Sequence, residues 1–254
     1  MDGAHGVFSV LPGNLPDGEE VRVGRMIGDM AAEIGIAHLV YSSGASVGTE
    51  LTGVPRVDAK PQIEAHVRSL PVTATIVRPM IFMDMLLGPN YGLDQGRYTF
   101  FLKPDQEMQL VAVDDIGAFV AVIFANKLQS AGRTVKLASD TVSGFDLQTI
   151  LSEAADQPIR YEQFPQAALA ASPDLAHMSR SLDNGPLSDH VDLAEMRAIS
   201  PDLTSFRAWI ATSGRKTLPI VSPRQISQHL RSNAETRYVL LAVLFSHLAE
   251  ICQA

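Results

Sequence analysis

The chain has 254 residues, with 46% hydrophobic and 19% charged side chains, ordinary for a globular protein and enough apolar material to exclude wholesale disorder. Its 28 acidic and 20 basic residues give a net charge of −8. No Lys/Arg cluster is dense enough for an electrostatic nucleic-acid footprint, so no direct nucleic-acid partner is expected. Cys252 is the single cysteine, which excludes an internal disulfide and any zinc-type cysteine spacing.

Taken in chain order, Gly3-Ala4-His5-Gly6-Val7-Phe8-Ser9-Val10 reads as a short buried strand over Val7 to Val10. Residues 19–34 place Val23, Met26, Ile27, Met30, Ala31 and Ile34 on one helical stripe, closed by Gly35 as a C-terminal stop. His38 to Ser43 is a second apolar strand, so strand, helix and strand form a βαβ unit with a parallel sheet. Pro61 is expected to open a short helix over 61–68, and Ala74 to Val77 is a third buried strand ended by Arg78-Pro79. Tyr98 to Leu102 reads as a short strand or hairpin arm, and Leu110 to Val113 as a further strand. Asp114 or Asp115 is expected to cap a helix over Ile116 to Asn126. Val135 to Ala138 is extended, and Ser143 with Asp146 predicts a capping-box variant opening a helix over about 146–155. Residues 156–165 read as extended, and helices and loops follow to Trp209.

Gly214 to Pro223 is a polar, proline-bearing linker. The apolar run Val239 to Phe245 is much shorter than the roughly 20 residues of a membrane span. It predicts a helix over about 235–251 that packs on an apolar surface. With no signal-peptide pattern and no membrane span, a cytoplasmic location is expected. The fold class is α/β: a partial doubly wound parallel sheet with a smaller C-terminal α+β lobe. Its core covers about 1–140 and its lobe about 141–213. Parallel sheets of this kind open with a glycine-rich turn that seats a cofactor's phosphates, yet no G-x-G-x-x-G occurs here. The chain reads as a nucleotide-binding fold whose first βαβα segment is missing.

The strands at Val7–Val10 and His38–Ser43, Lys60 ahead of Ile63-Glu64, and Thr75-Ile76-Val77-Arg78-Pro79 with Phe82-Met83 follow in a characteristic order. Gln109 to Gly117 and then Pro201-Asp202-Leu203 before Trp209 complete it. Over roughly residues 3–212 this resembles the NmrA-like family, atypical short-chain dehydrogenase/reductases with a Rossmann core. The resemblance implies binding of NADP or NAD. It spans dinucleotide-binding regulators without known turnover, sensors of the NADPH ratio, and reductases of quinones or phenolic compounds. The family's glycine turn, which holds the pyrophosphate, is absent from this sequence, so weak or no dinucleotide binding by the chain alone is expected.

The resemblance makes Lys60 the leading catalytic and cofactor-binding candidate. In typical short-chain reductases a Tyr-x-x-x-Lys pair works together: the lysine holds the nicotinamide ribose and lowers the tyrosine pKa. Here Arg56 stands four residues before Lys60 and cannot serve as that acid. Pro61 is expected to leave Lys60 at a helix cap. Ser42 and Ser43 end a strand at its carboxyl edge, where ligands sit in open α/β sheets; as plain sequence they also read as strand terminators. The resemblance implies that Leu11, Pro12 and Gly13 after the first strand pass under the cofactor and that Pro79, Met80, Ile81 and Phe82 after the third form the matching loop near the nicotinamide; as plain sequence Leu11-Pro12-Gly13 is a turn. Tyr41 reads as core. Met80, Met83, Met85 and Leu86 read either as a substrate cleft or as plain core. The seven histidines show no ligand spacing, and no metal is assigned.

Three functions compete on this reading. The first is a redox-responsive dinucleotide-binding regulator or sensor. The second is an NADPH-dependent reductase of a quinone or small carbonyl compound. The third is an interaction module without a cofactor site. A protein partner or a homo-oligomer fits the first and third.

Overall fold

The computed structural model describes residues 4–13, 15–48 and 50–214. Strand β1 (Gly6–Ser9), helix α1 (Glu19–Ile34) and strand β2 (His38–Ser42) form the first βαβ unit, followed by α2 (Pro55–Ser69) and β3 (Ala74–Pro79). Next come β4 (Ile81–Phe82), β5 (Arg97–Phe100), β6 (Glu107–Val111), α3 (Val113–Ala125), the short α4 (Lys127–Ser130) and β7 (Thr134–Leu137). β8 (Asp140–Ser143), α5 (Gly144–Ala155), β9 (Arg160–Gln163), α6 (Gln166–Ala170), α7 (Pro173–Asn184), α8 (Leu193–Ile199) and α9 (Phe206–Thr212) complete the described residues. The main sheet is parallel throughout, in the order β1-β2-β3-β7. A second sheet runs β4-β6-β8, and β5 pairs with β9.

β2 is buried along its whole length because it has a strand on each side and helices on both faces. The alternation of a strand divides its side chains between the faces. Leu39 and Tyr41 pack with Val23, Ile27 and Ala31 of α1 and with Ile63 and Val67 of α2. Val40 packs on the other face with Phe119, Val120 and Ile123 of α3. Each fully buried Leu, Val or Ile contributes about 1.5–3 kcal/mol, so these two layers hold the sheet rigid beneath its carboxyl edge.

α1 ends as its sequence requires. Gly35 takes φ 74°, and the N–H groups of Gly35 and Ile36 close onto Ala32 and Ala31. Its buried face, however, centres on Glu20, Gly24, Gly28 and Ala31, while Met26, Met30 and Ile34 stay exposed. The two glycines set that choice. A Cβ on Gly24 would lie 2.7 Å from Ile63, and one on Gly28 would lie 2.9 Å from Leu70. Only bare backbone lets α1 approach α2 this closely.

α2 corrects the expected short helix. It begins at Pro55, and Pro61 lies inside it. Asp58 accepts hydrogen bonds from the Thr52 N–H and hydroxyl and from the Gly53 N–H, which fixes the first turn upstream of Pro61. Lys60 is therefore helical rather than a cap. α3 also starts earlier than expected, after Ala112. Asp115 does not cap it. Asp115 is buried and accepts from the N–H and hydroxyl of Thr204, 89 residues away. The Ser143–Asp146 capping box forms as expected. Tyr98 belongs to a strand that pairs in parallel with β9, so it is not a hairpin arm. The linker beyond Gly214 and the helix expected over 235–251 lie outside the described residues.

Candidate functional site

In an open parallel sheet, ligands sit outside the carboxyl ends of the strands. Here β1, β2 and β3 end side by side. Their ends carry Leu11, Pro12 and Gly13, then Ser42 and Ser43, then Pro79 and Met80. The chain keeps its sheet pairing past the strand ends. The Ser43 N–H donates to the Val77 carbonyl at 2.8 Å, the Ala45 N–H to Pro79 at 3.0 Å, and the Met80 N–H to Leu137 at 2.9 Å. Leu11, Ser42, Ser43 and Met80 are buried, whereas Pro12 and Gly13 are exposed.

Ile81 and Phe82 go elsewhere. They form β4 and pair with Leu110 and Val111 of β6, so the expected loop after β3 leads directly into the second sheet. Met80, Met83 and Leu86 lie in the core below it, and Met85 is exposed, which favours the core reading of that stripe. The strand ends thus gather Leu11 to Gly13, Ser42, Ser43, Pro79 and Met80. They leave Ile81 and Phe82 on a different sheet.

Lys60 sits in the layer of α1 and α2. Its ammonium donates to the Glu20 carboxylate of α1, and the two side chains retain 18% and 6% exposure. One helical turn along α2, Glu64 is buried and receives a forked pair of bonds from Arg78 at 2.9 and 2.7 Å and one from Arg68 at 2.8 Å. Burial alone would push the Glu64 carboxyl up. The hydrogen bonds of Arg78 and Arg68, with the charge of Arg78, outweigh it and hold the group below the ordinary carboxylate value. Tyr41 shares this layer. Its buried hydroxyl has no hydrogen-bond partner among the described residues, and burial with the charges of Glu20 and Glu64 pushes its pKa well up. The layer therefore holds two ion-paired centres with a neutral phenol among them.

Arg56, four residues before Lys60, bonds Asp174 of α7 at 2.7 Å. Arg78, left open by the sequence, is Glu64's partner. No cluster of three or more potential metal ligands occurs among the described residues, and no described helix is long and apolar enough to cross a membrane. Sequence reasoning missed Glu20 and the role of Glu64. The Lys60, Glu64, Arg68 spacing of four was a readable signal for one charged helix face. The pairing of Lys60 with Glu20 had no local signal, since it joins residues 40 apart.

The family model of the NmrA-like family matches residues 1–207. An NmrA-like family domain-containing protein of Dictyostelium discoideum is 22% identical over 174 residues, covering 62% of this chain; the chain spans 57% of that relative's length. Among solved structures, NmrA, a negative transcriptional regulator in complex with NADP, is similar with a TM-score of 0.67 and 19% identity, over 91% of this chain and 77% of its own. An NADPH-dependent quinone oxidoreductase from Escherichia coli is similar with a TM-score of 0.65 and 16% identity, over 84% and 76%. At such identities the likeness to the solved structures is one of fold. The family match over most of the length goes further: this chain belongs to the NmrA-like family.

Proposed function

We propose that the protein is a dinucleotide-responsive regulator or sensor rather than an efficient reductase, with the nicotinamide half of NADP or NAD resting on the strand ends. One observation carries the reading. The charge of Lys60 is engaged by Glu20, and the side chain at the reductase tyrosine position is an arginine bonded to Asp174. A guanidinium stays protonated at neutral pH and cannot relay a proton to a carbonyl or quinone oxygen. The NADP-bound regulator among the structural neighbours is consistent with this reading.

On this reading Leu11, Pro12, Gly13, Ser42, Ser43, Pro79 and Met80 contact the nicotinamide side, and Lys60 reaches the ribose by exchanging Glu20 for a ribose hydroxyl. Ile81 and Phe82, on the second sheet, support that edge from below. Phosphate affinity has little to draw on. The first turn of α1 carries Glu19 and Glu20, whose charges oppose a phosphate at that helix end.

Calorimetric titration of residues 1–254 with NADPH tests this. The expected dissociation constant is about 100 µM or weaker, near −5.5 kcal/mol. Lys60→Ala is expected to weaken it by a further 1.5 kcal/mol or about that, the scale of one charged hydrogen bond. Low-micromolar affinity, or affinity unchanged by Lys60→Ala, would contradict the proposed contacts.

A further inference from the structure

The fold splits the apolar stripe that the sequence places on α1. Val23, Ile27 and Ala31 turn into the layer formed with β2 and α2. Met26, Met30 and Ile34 turn outward and keep 43%, 40% and 41% of their surface exposed. Single exposed apolar residues are ordinary, but these three follow one another at steps of four. With Arg22 they form one row along the outer face of the helix. Arg25, Asp29 and Glu33 form the neighbouring row and are exposed as well. Between the rows runs an open groove of about 500 Å³, lined by Gly18 and residues of α1. A row of side chains seated in such a groove is how two helices pack on each other.

The charges on this face have a direction. Arg22 and Arg25 stand toward the amino end of α1, Asp29 and Glu33 toward its carboxyl end. The last turn has no basic residue, so Glu33 stands where the helix dipole favours a cation. Arg22 is engaged by Glu19, and Asp29 by His66. Arg25 and Glu33 are not: neither makes an ion pair or side-chain hydrogen bond among the described residues. A second α1 laid antiparallel across this face reverses the order of charges. It brings each Arg25 toward the partner's Glu33 and each Met26 to the level of the partner's Met30. A parallel arrangement would set like charges against each other.

We propose that a second copy of this chain packs on the outer face of α1, antiparallel, about a two-fold axis at the level of Met26 and Met30. The methionine row of each copy enters the groove of the other, and two Arg25–Glu33 pairs flank the seam. A two-fold interface joins the same patch on both copies, and this patch complements itself in the antiparallel sense alone. Methionine suits such a seam, because its unbranched side chain adapts to the facing surface. A single helix pair gives an interface near or below about 1,200 Å², the lower end for stable complexes, so the dimer is reversible. The interface uses neither the strand-end residues nor Val10 beside β1, and it is independent of the dinucleotide reading.

The test is sedimentation equilibrium of the full chain carrying Val10→Lys, which charges the β1 edge and removes pairing there. A monomer–dimer equilibrium with a dissociation constant of about 50 µM is expected. Arg25→Glu and Glu33→Arg, each added to that chain, are expected to weaken the dimer about tenfold or more, because each sets like charges opposite one another twice. An equimolar mixture of these two proteins is expected to recover the parent affinity to within about threefold, since each supplies the charge that the other lacks. Met30→Lys is expected to abolish the dimer. All three side chains are exposed, so the circular dichroism spectra are expected to stay unchanged. A monomer up to about 500 µM would overturn the proposal and leave the face to a different protein. Variants that dimerise as well as the parent, or a mixture no tighter than either variant alone, would overturn it too.

Discussion

Lys60 on α2 and Glu20 on α1 meet in a largely water-shielded ion pair beneath the carboxyl edge of the sheet. The same two helices are joined by His66 and Asp29 at 2.7 Å and brought close by Gly24 and Gly28. The pair therefore has two effects. It fastens α1 to α2, and it engages the lysine that the proposed function places at the cofactor ribose.

Breaking that pair from one side is expected to harm more than removing both partners. Glu20→Ala leaves an ammonium short of its acceptor in a mostly buried place, and a loss of about 2–3 kcal/mol is expected, less than for a wholly buried pair because Lys60 keeps some water. Glu20→Leu combined with Lys60→Met is expected to recover most of it. Urea unfolding midpoints of the three proteins measure this. Equal losses in the single and double variants would show that the pair contributes packing and little charge.

Glu64 gives the fold an acid-side dependence. Its folded pKa lies below the ordinary 4.5, so its contribution is fully present above that value and is lost as pH falls through the folded pKa. Thermal melting between pH 6 and about 3 is expected to show a steeper fall for the native chain than for Glu64→Gln. Arg78→Ala, which strands the buried carboxylate, is expected to cost about 3 kcal/mol at neutral pH and to lose less on acidification. A Glu64→Gln profile as steep as the native one would assign the slope to other carboxylates.

The parts of this molecule that sequence makes legible are those decided locally. The Gly35 stop, the Ser143–Asp146 box and the strand at His38 follow from residues within a few positions of one another. The misread parts were decided at a distance. Pro61 looked like a helix start because the Asp58 clasp on Thr52 and Gly53 cannot be seen in the pattern. Asp115 looked like a cap because Thr204 lies far along the chain. The stripe on α1 was read without its glycines, although Gly24 and Gly28 select the face that approaches α2. Ile81 and Phe82 looked like a cofactor loop because β6, their partner, begins more than 20 residues later.

β1 pairs on one side only among the described strands, and the exposed apolar residues Phe8 and Val10 lie on it or next to it. Met26 and Met30 of α1 are exposed as well. An unblocked apolar edge invites pairing with another chain. Concentration-dependent self-association is expected in light scattering, reduced by Val10→Lys, which places a charge on that edge. A monomer at all concentrations, with or without the substitution, would show that the edge is blocked.

Turnover is the most direct test of the regulatory reading. NADPH oxidation would be followed with a quinone acceptor at millimolar NADPH, so that weak binding does not hide a catalytic rate. With Arg56 bonded to Asp174 and Lys60 held by Glu20, the proposed function expects a rate equal to that of the Lys60→Ala protein and of buffer. Steady NADPH consumption above the Lys60→Ala control would contradict the regulator and establish a reductase that uses Lys60.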